Sequence, residues 1–157
     1  MGIAWNEISP NSKGGTEIMC RELERRMPKE LMDQFQIIPS RFRGELDPTK
    51  IRIYYAHETE SDPESQNALG NSWNKFHRLV FVSNHQMQRF IQKYNLPWGR
   101  CVVLRNAIEP IAYFPKPNGK IRLIYTSTPQ RGLEVLGTAF SLLAENDMNF
   151  SAITDRC

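Results

Sequence analysis

Along the chain, short continuous apolar runs alternate with stretches in which apolar residues return every three or four positions. Short runs rich in β-branched and aromatic side chains read as strands. They fall at 35–39, 51–56, 79–82, 102–104 and 121–125, with weaker signals at 2–8 and 150–154. The apolar runs within 51–56 and 79–82, interrupted only by Arg52, predict central strands of a mainly parallel sheet, because a strand covered on both faces has no polar side. Between the strands the period changes. Met19, Leu23 and Met27 are spaced four apart and predict a helix over 16–27, which Pro28 either ends or follows with a second turn. Met87, Phe90, Ile91 and Tyr94 fall at i, i+3, i+4 and i+7 behind a cap supplied by Ser83 and Asn84. Leu133, Leu136, Phe140 and Leu143 mark the expected buried face of a helix over 131–145. Residues 40–50 read as a loop, and 57–72 as irregular, then helical. Strands alternating with helices give an α/β class: a Rossmann-like, mainly parallel sheet with flanking helices.

Composition leaves this picture in place and removes several function classes. The 157 residues are 40% hydrophobic and 24% charged, enough for a core and ordinary for a globular chain. A formal net charge of +3 is too small a surplus to argue for nucleic acid as a partner. Cys20, Cys101 and Cys157 are widely spaced and show no Cys/His metal spacing, so no metal site is expected. Reduced thiols in the cytoplasm are the expected state. No apolar run reaches the length of a transmembrane segment, and MGIAWNEIS lacks the features of a signal peptide. Pro110, Pro115, Pro117 and Gly119 mark the best linker candidate. The expected organisation is a first domain at 1–112, a Pro-rich linker at 113–120, and the opening of a second domain at 118–157.

Four places could carry chemistry, and each has a plainer reading. Lys13-Gly14-Gly15-Thr16-Glu17 stands between a strand and a helix. The glycines allow close backbone approach, and the helix start offers free N–H groups to an anion. The same residues also fit a tight turn capped by Thr16. His57, with Glu58 and Glu60, follows the strand ending YYA, and residues after parallel strands line the ligand crevice of such folds. A base or hydrogen-bonding role near neutral pH fits His57, and so does a solvated loop. His77 and His85 receive no role. Arg105 and Asn106 follow the strand at 102–104 and form either a crevice rim or a capped turn. Arg131 and Gly132 begin the helix at 131–145, where a cation opposes the helix macrodipole unless it faces an anion such as a diphosphate. A solvated Arg131 is the alternative. GxGxxG and GxxxxGK[ST] are both absent.

The order of these segments resembles the retaining glycosyltransferases of family four and their relatives, which have the GT-B fold. The resemblance rests on GGTE, YYAHE, VFVSNHQMQRFI, VVLRNAIEP and LIYTSTPQRGLEVL, and spans most of residues 9–145. It implies transfer of a sugar from a nucleotide diphosphate sugar to an acceptor hydroxyl. By the same resemblance, His57 lies near the reacting sugar as the catalytic residue. Gly14, Gly15, Arg131 and Gly132 contact the donor phosphates, and Glu17, Arg105 and Asn106 line the rim. No metal or other cofactor is implied, the donor being a substrate. The chain departs from the family where Thr126, Ser127 and Thr128 stand in place of a donor-binding arginine. It also lacks, after Arg131, the pair of glutamates that contact donor sugar and ribose. The donor pocket is therefore expected to be incomplete and activity impaired. The alternative is a non-catalytic nucleotide-, sugar- or protein-binding module of Rossmann-like fold. The apolar face of the last helix, left without its usual cover, is expected to drive homodimerisation.

Overall fold

The structure is a computed structural model that describes residues 2–3, 14–42, 44–115, 121–127, 129–144 and 150–153. The chain divides into two compact units, Met1–Glu109 and Pro110–Cys157, each described by itself.

The first unit has a Rossmann-like α/β fold. Its sheet contains β1 (Phe35–Pro39), β2 (Ile51–Ala56), β3 (Arg78–Phe81) and β4 (Cys101–Val103), all parallel and in that spatial order. The two strands with the most continuous apolar runs, β2 and β3, hold the interior positions. Ile3 adds an isolated parallel bridge to Ile37. The rest of the strand expected over 2–8 lies outside the described residues.

Side chains alternate across a strand, so each strand feeds two cores. One core joins Ile37, Tyr55 and Val80 to Cys20 of α1 (Gly15–Arg26) and Met32 of α2 (Lys29–Met32). The other joins Ile38, Tyr54, Leu79 and Phe81 to α3 (Pro63–Leu69) and α4 (Asn84–Tyr94). Phe90 of α4 is fully buried, with ring centroids 5.1 Å from Phe81 and 5.7 Å from Tyr94. The helix boundaries follow local chemistry. Gly14, not Thr16, occupies the N-cap of α1, and Pro28 opens α2 rather than merely ending α1. Asp62 caps α3 ahead of Pro63 by accepting the Glu64 N–H at 2.8 Å. Ser83 alone caps α4, accepting the Gln86 N–H at 3.1 Å, and Asn84 is its first helical residue. Asn95, in the left-handed region at φ 50°, ends it.

The second unit pairs β5 (Ile121–Ile124) in parallel with β6 (Phe150–Ile153). Between them lie a 3₁₀ turn at Pro129–Arg131 and α5 (Leu133–Ala144). Gly132 adopts φ +105°, so the helix begins after it, and Arg131 precedes α5 instead of opening it. Leu133, Leu136 and Phe140 are half-buried, whereas Leu143 is exposed together with Val135 and Leu142. The expected buried face is thus incomplete. In α5 only Glu134 is charged, and it shares one polar stripe with Thr138 and Ser141. Residues 116–120 of the linker and residue 154 of the last strand lie outside the described residues. Among the described residues, no helix is long and apolar enough to cross a membrane.

Candidate functional site at the carboxyl edge of the sheet

Parallel strands present all their carboxyl ends at one edge, and several of the sequence-singled residues meet there. β2 ends at Ala56 and hands the chain to His57. The His57 N–H donates to Ser40 Oγ at 2.8 Å. Ser40 directly follows β1, is 2% exposed, and holds the left-handed conformation at φ 57°. Such a backbone costs a residue other than glycine about 1–2 kcal/mol and persists only where its surroundings demand it. Three contacts do so: the hydroxyl accepts from His57, the carbonyl accepts the Tyr54 hydroxyl at 2.9 Å, and the N–H donates to Tyr55 O at 2.9 Å. The ends of β1 and β2 are thereby tied together under His57.

The His57 ring lies against Tyr55, with centroids 4.3 Å apart and planes 53° apart. Its Nε2 is buried and has no hydrogen-bond partner among the described residues. Burial pushes the His57 pKa down to about 4, and the Glu17 carboxylate pulls it partly back up. At neutral pH the ring is uncharged, able to accept one hydrogen bond and donate another.

Glu17 comes from the first turn of α1, where a carboxylate is favoured by the helix macrodipole. It folds back so far that a Cβ on Gly14 would collide with its carboxylate. The missing side chain at Gly14 therefore makes room for Glu17, whereas a Cβ at Gly15 would meet open space. Gly14 and Gly15 are exposed. The Tyr55 hydroxyl, from β2, reaches Leu104 O and Asn106 Oδ1 just after β4, both at 3.4 Å, and can donate to one at a time. Arg105, beside them in sequence, is exposed. Arg131 and Gly132 belong to the second unit, where Arg131 is exposed and the Gly132 carbonyl accepts the Leu136 N–H at 3.0 Å.

Three contributors escape a reading of sequence alone: Ser40, Tyr55 and Gln86. Gln86 Oε1 accepts the Val82 N–H at 2.8 Å, while its Nε2 donates to Ala56 O at 3.3 Å and Glu58 O at 2.8 Å. With the Arg89–Glu60 ion pair at 2.8 Å and the Tyr94 hydroxyl on Glu60 O at 2.7 Å, it binds the loop after β2 to α4. The Ser83-x-x-Gln86 spacing of a capping box was the available signal. Ser40 was marked only by being the first polar residue after a buried strand.

Nearby Cys20 is fully buried, and desolvation, aided by Glu24 and Glu17, pushes its thiol up to about 12. It packs as a small apolar residue and is no nucleophile. Among the described residues no group of His, Cys, Asp and Glu could hold a metal ion. The edge thus offers a neutral imidazole, a carboxylate, a phenol and open backbone at a helix start, a set suited to hydroxyl-rich or anionic ligands. No protein-family model matches the chain, and no curated protein matches it.

Proposed function

We propose that the chain is a glycosyltransferase-like protein of GT-B type, whose first unit presents the acceptor side of a nucleotide-sugar site. The observation that supports this reading most is the pairing of a neutral, partly buried His57, its Nε2 unpartnered, with the glycine-rich start of α1 that carries Glu17. A sugar hydroxyl is the natural partner for that Nε2, and the N–H groups at Gly15 suit a donor phosphate. Transfer breaks the anomeric C–O bond to the diphosphate and forms one to the acceptor oxygen, whose proton needs an acceptor. In this reading the imidazole is the nearest base. Turnover by these 157 residues is slow, because orientation of the donor supplies about 7–11 kcal/mol of such a barrier and Thr126, Ser127 and Thr128 stand where the resemblance implies a donor-binding arginine.

A non-catalytic binding module is the second reading. It is favoured by the Glu17 carboxylate, which lies over Gly14 where a donor phosphate is otherwise expected. Calorimetry with UDP-glucose and GDP-mannose, followed by assays of donor hydrolysis and transfer, separates the two. Binding with turnover that His57→Ala abolishes supports the transferase. Binding without turnover supports the module, and failure of every donor to bind at millimolar concentration removes the transferase and a nucleotide-binding module, leaving only a module for another ligand.

A further inference from the structure

The chain leaves the sheet at His57 through a peptide group that is held from both sides. In a trans peptide the C=O and N–H point in opposite directions. On one side the Ala56 carbonyl accepts from Gln86 Nε2 at 3.3 Å, and on the other the His57 N–H donates to Ser40 Oγ at 2.8 Å. Gln86 Nε2 also donates to the Glu58 carbonyl at 2.8 Å. One side-chain amide from α4 therefore grips the main chain immediately before and immediately after His57.

The grip is specific to glutamine. Its Oε1 accepts the Val82 N–H at 2.8 Å while both Nε2 hydrogens are in use, so a reversed amide would set its oxygen against two carbonyls. Glutamate lacks the donors, lysine lacks the acceptor, and asparagine is one methylene short. Gln86 is itself fixed. It is the third residue of α4, its N–H donates to Ser83 Oγ at 3.1 Å, and the adjacent Met87 is buried in the core. The His57 side chain thus starts from a set origin. Its ring packs on Tyr55, with centroids 4.3 Å apart, and its buried Nε2 has no partner among the described residues. Displacing such a group by about 1 Å can cost about a hundredfold in rate. Arg89, one turn further along α4, holds the same loop at Glu60, three residues past His57 and outside the pinned peptide.

We propose that Gln86 is the positioning residue of the carboxyl-edge site: through the main chain on either side of His57 it sets where the imidazole meets a ligand. This rests on the reading of His57 as the working group of that site.

The test follows the His57 ring by nuclear magnetic resonance in the full chain. In the parent the ring lies in the ring current of Tyr55 and titrates at about 4. Glu17 of α1 is the charged group that acts on it, and it stays in every variant. Gln86→Met keeps the length and helix propensity of the side chain and deletes its three hydrogen bonds. Its His57 signals should lose the Tyr55 shift, and the midpoint should rise to about 5 or above, because a displaced ring regains water. Arg89→Gln, which also loosens the loop, should change neither. Should Gln86→Met fail to fold, as circular dichroism would reveal, Gln86→Glu keeps the acceptor for the Val82 N–H and decides by the Tyr55 shift alone, since its new carboxylate itself raises the midpoint. An unmoved ring in the folded Gln86 variant overturns the proposal, and so does an equal movement in Arg89→Gln. Calorimetry with UDP-glucose is the second arm. Where the parent binds, Gln86→Met should bind roughly tenfold more weakly, the loss of one hydrogen bond, and equal affinity also overturns the proposal. Failure of the parent to bind counts against the site reading alone, and the ring signals still decide the role of Gln86.

Discussion

Removing the imidazole of His57 should flatten the acid side of the stability profile. In the folded chain burial holds the ring neutral, with its pKa lowered from 6.5 to about 4. The unfolded chain protonates the same residue near pH 6.5. Between these values the unfolded state binds more protons, so stability falls as pH drops from about 6.5 to about 4 and this contribution is flat below that. At about 1.4 kcal/mol per unit the shift amounts to roughly 3 kcal/mol, and partial contact of the ring with water reduces it to about 2 kcal/mol. Urea unfolding of the parent and of His57→Asn, followed by tryptophan fluorescence from pH 7 to pH 4, isolates the effect as a difference. The carboxylates that the fold holds below their usual range, Glu22, Glu60 and Asp47, lose their contributions at lower pH in both proteins and cancel. The parent should lose about 2 kcal/mol more than the variant over that window. Equal slopes, or a His57 ring that titrates near 6.5 by nuclear magnetic resonance, would show that the imidazole is not buried as described.

Ser40 gives a sharper local comparison: Ser40→Ala keeps the left-handed strain and loses the hydroxyl bond to His57, whereas Ser40→Gly loses the bond and relieves the strain. Chemical denaturation should therefore find the glycine variant more stable than the alanine variant by about 1 kcal/mol, and the reverse order contradicts the assigned backbone. Phe90→Ala, which empties the contact between α4 and the sheet, should cost about 3–5 kcal/mol in the same assay; a loss below 1 kcal/mol would place Phe90 outside the core. Gln86→Ala should speed amide hydrogen exchange at Val82, which loses its acceptor, and across 56–60, whose Ala56 and Glu58 carbonyls it releases, and exchange unchanged there would mean that the loop is held by something else.

The fold was legible because burial leaves a periodic trace. Tyr54, Tyr55 and Ala56 are all buried, each facing one of two cores, so the second half of β2 had to be apolar on both faces. Met87, Phe90 and Tyr94 read as one helical face because they form one. Lone polar residues leave no such trace. Ser40 looks like any serine ending a strand, and its role depends on a backbone angle and on three groups supplied by β2 and the residue after it. The two glycines were visible, but the close approach of the Glu17 carboxylate to Gly14 was not, since it follows from where a side chain three residues later folds back. Arg131 was misplaced by two residues for a similar reason, since only a positive φ at Gly132 delays the start of α5.

The small net charge of the chain conceals a polarity along the strands. Glu17, Glu58, Glu60 and Asp62 gather at the carboxyl edge of the sheet, near the amino ends of α1 and α3, while Lys75, Arg78 and Arg100 gather at the other. Part of this follows from the architecture alone. In a parallel α/β unit the connecting helices run against the strands, so their positive ends share the carboxyl edge and their negative ends the amino edge. Acids and bases sorted this way each gain a fraction of a kcal/mol. That effect fades within one turn of a helix end, which suffices for Lys75, in the turn after α3. It does not reach the second residue of an interior strand. Arg52, with its Nε buried and unpartnered among the described residues, is therefore the residue for which helix dipoles offer no account.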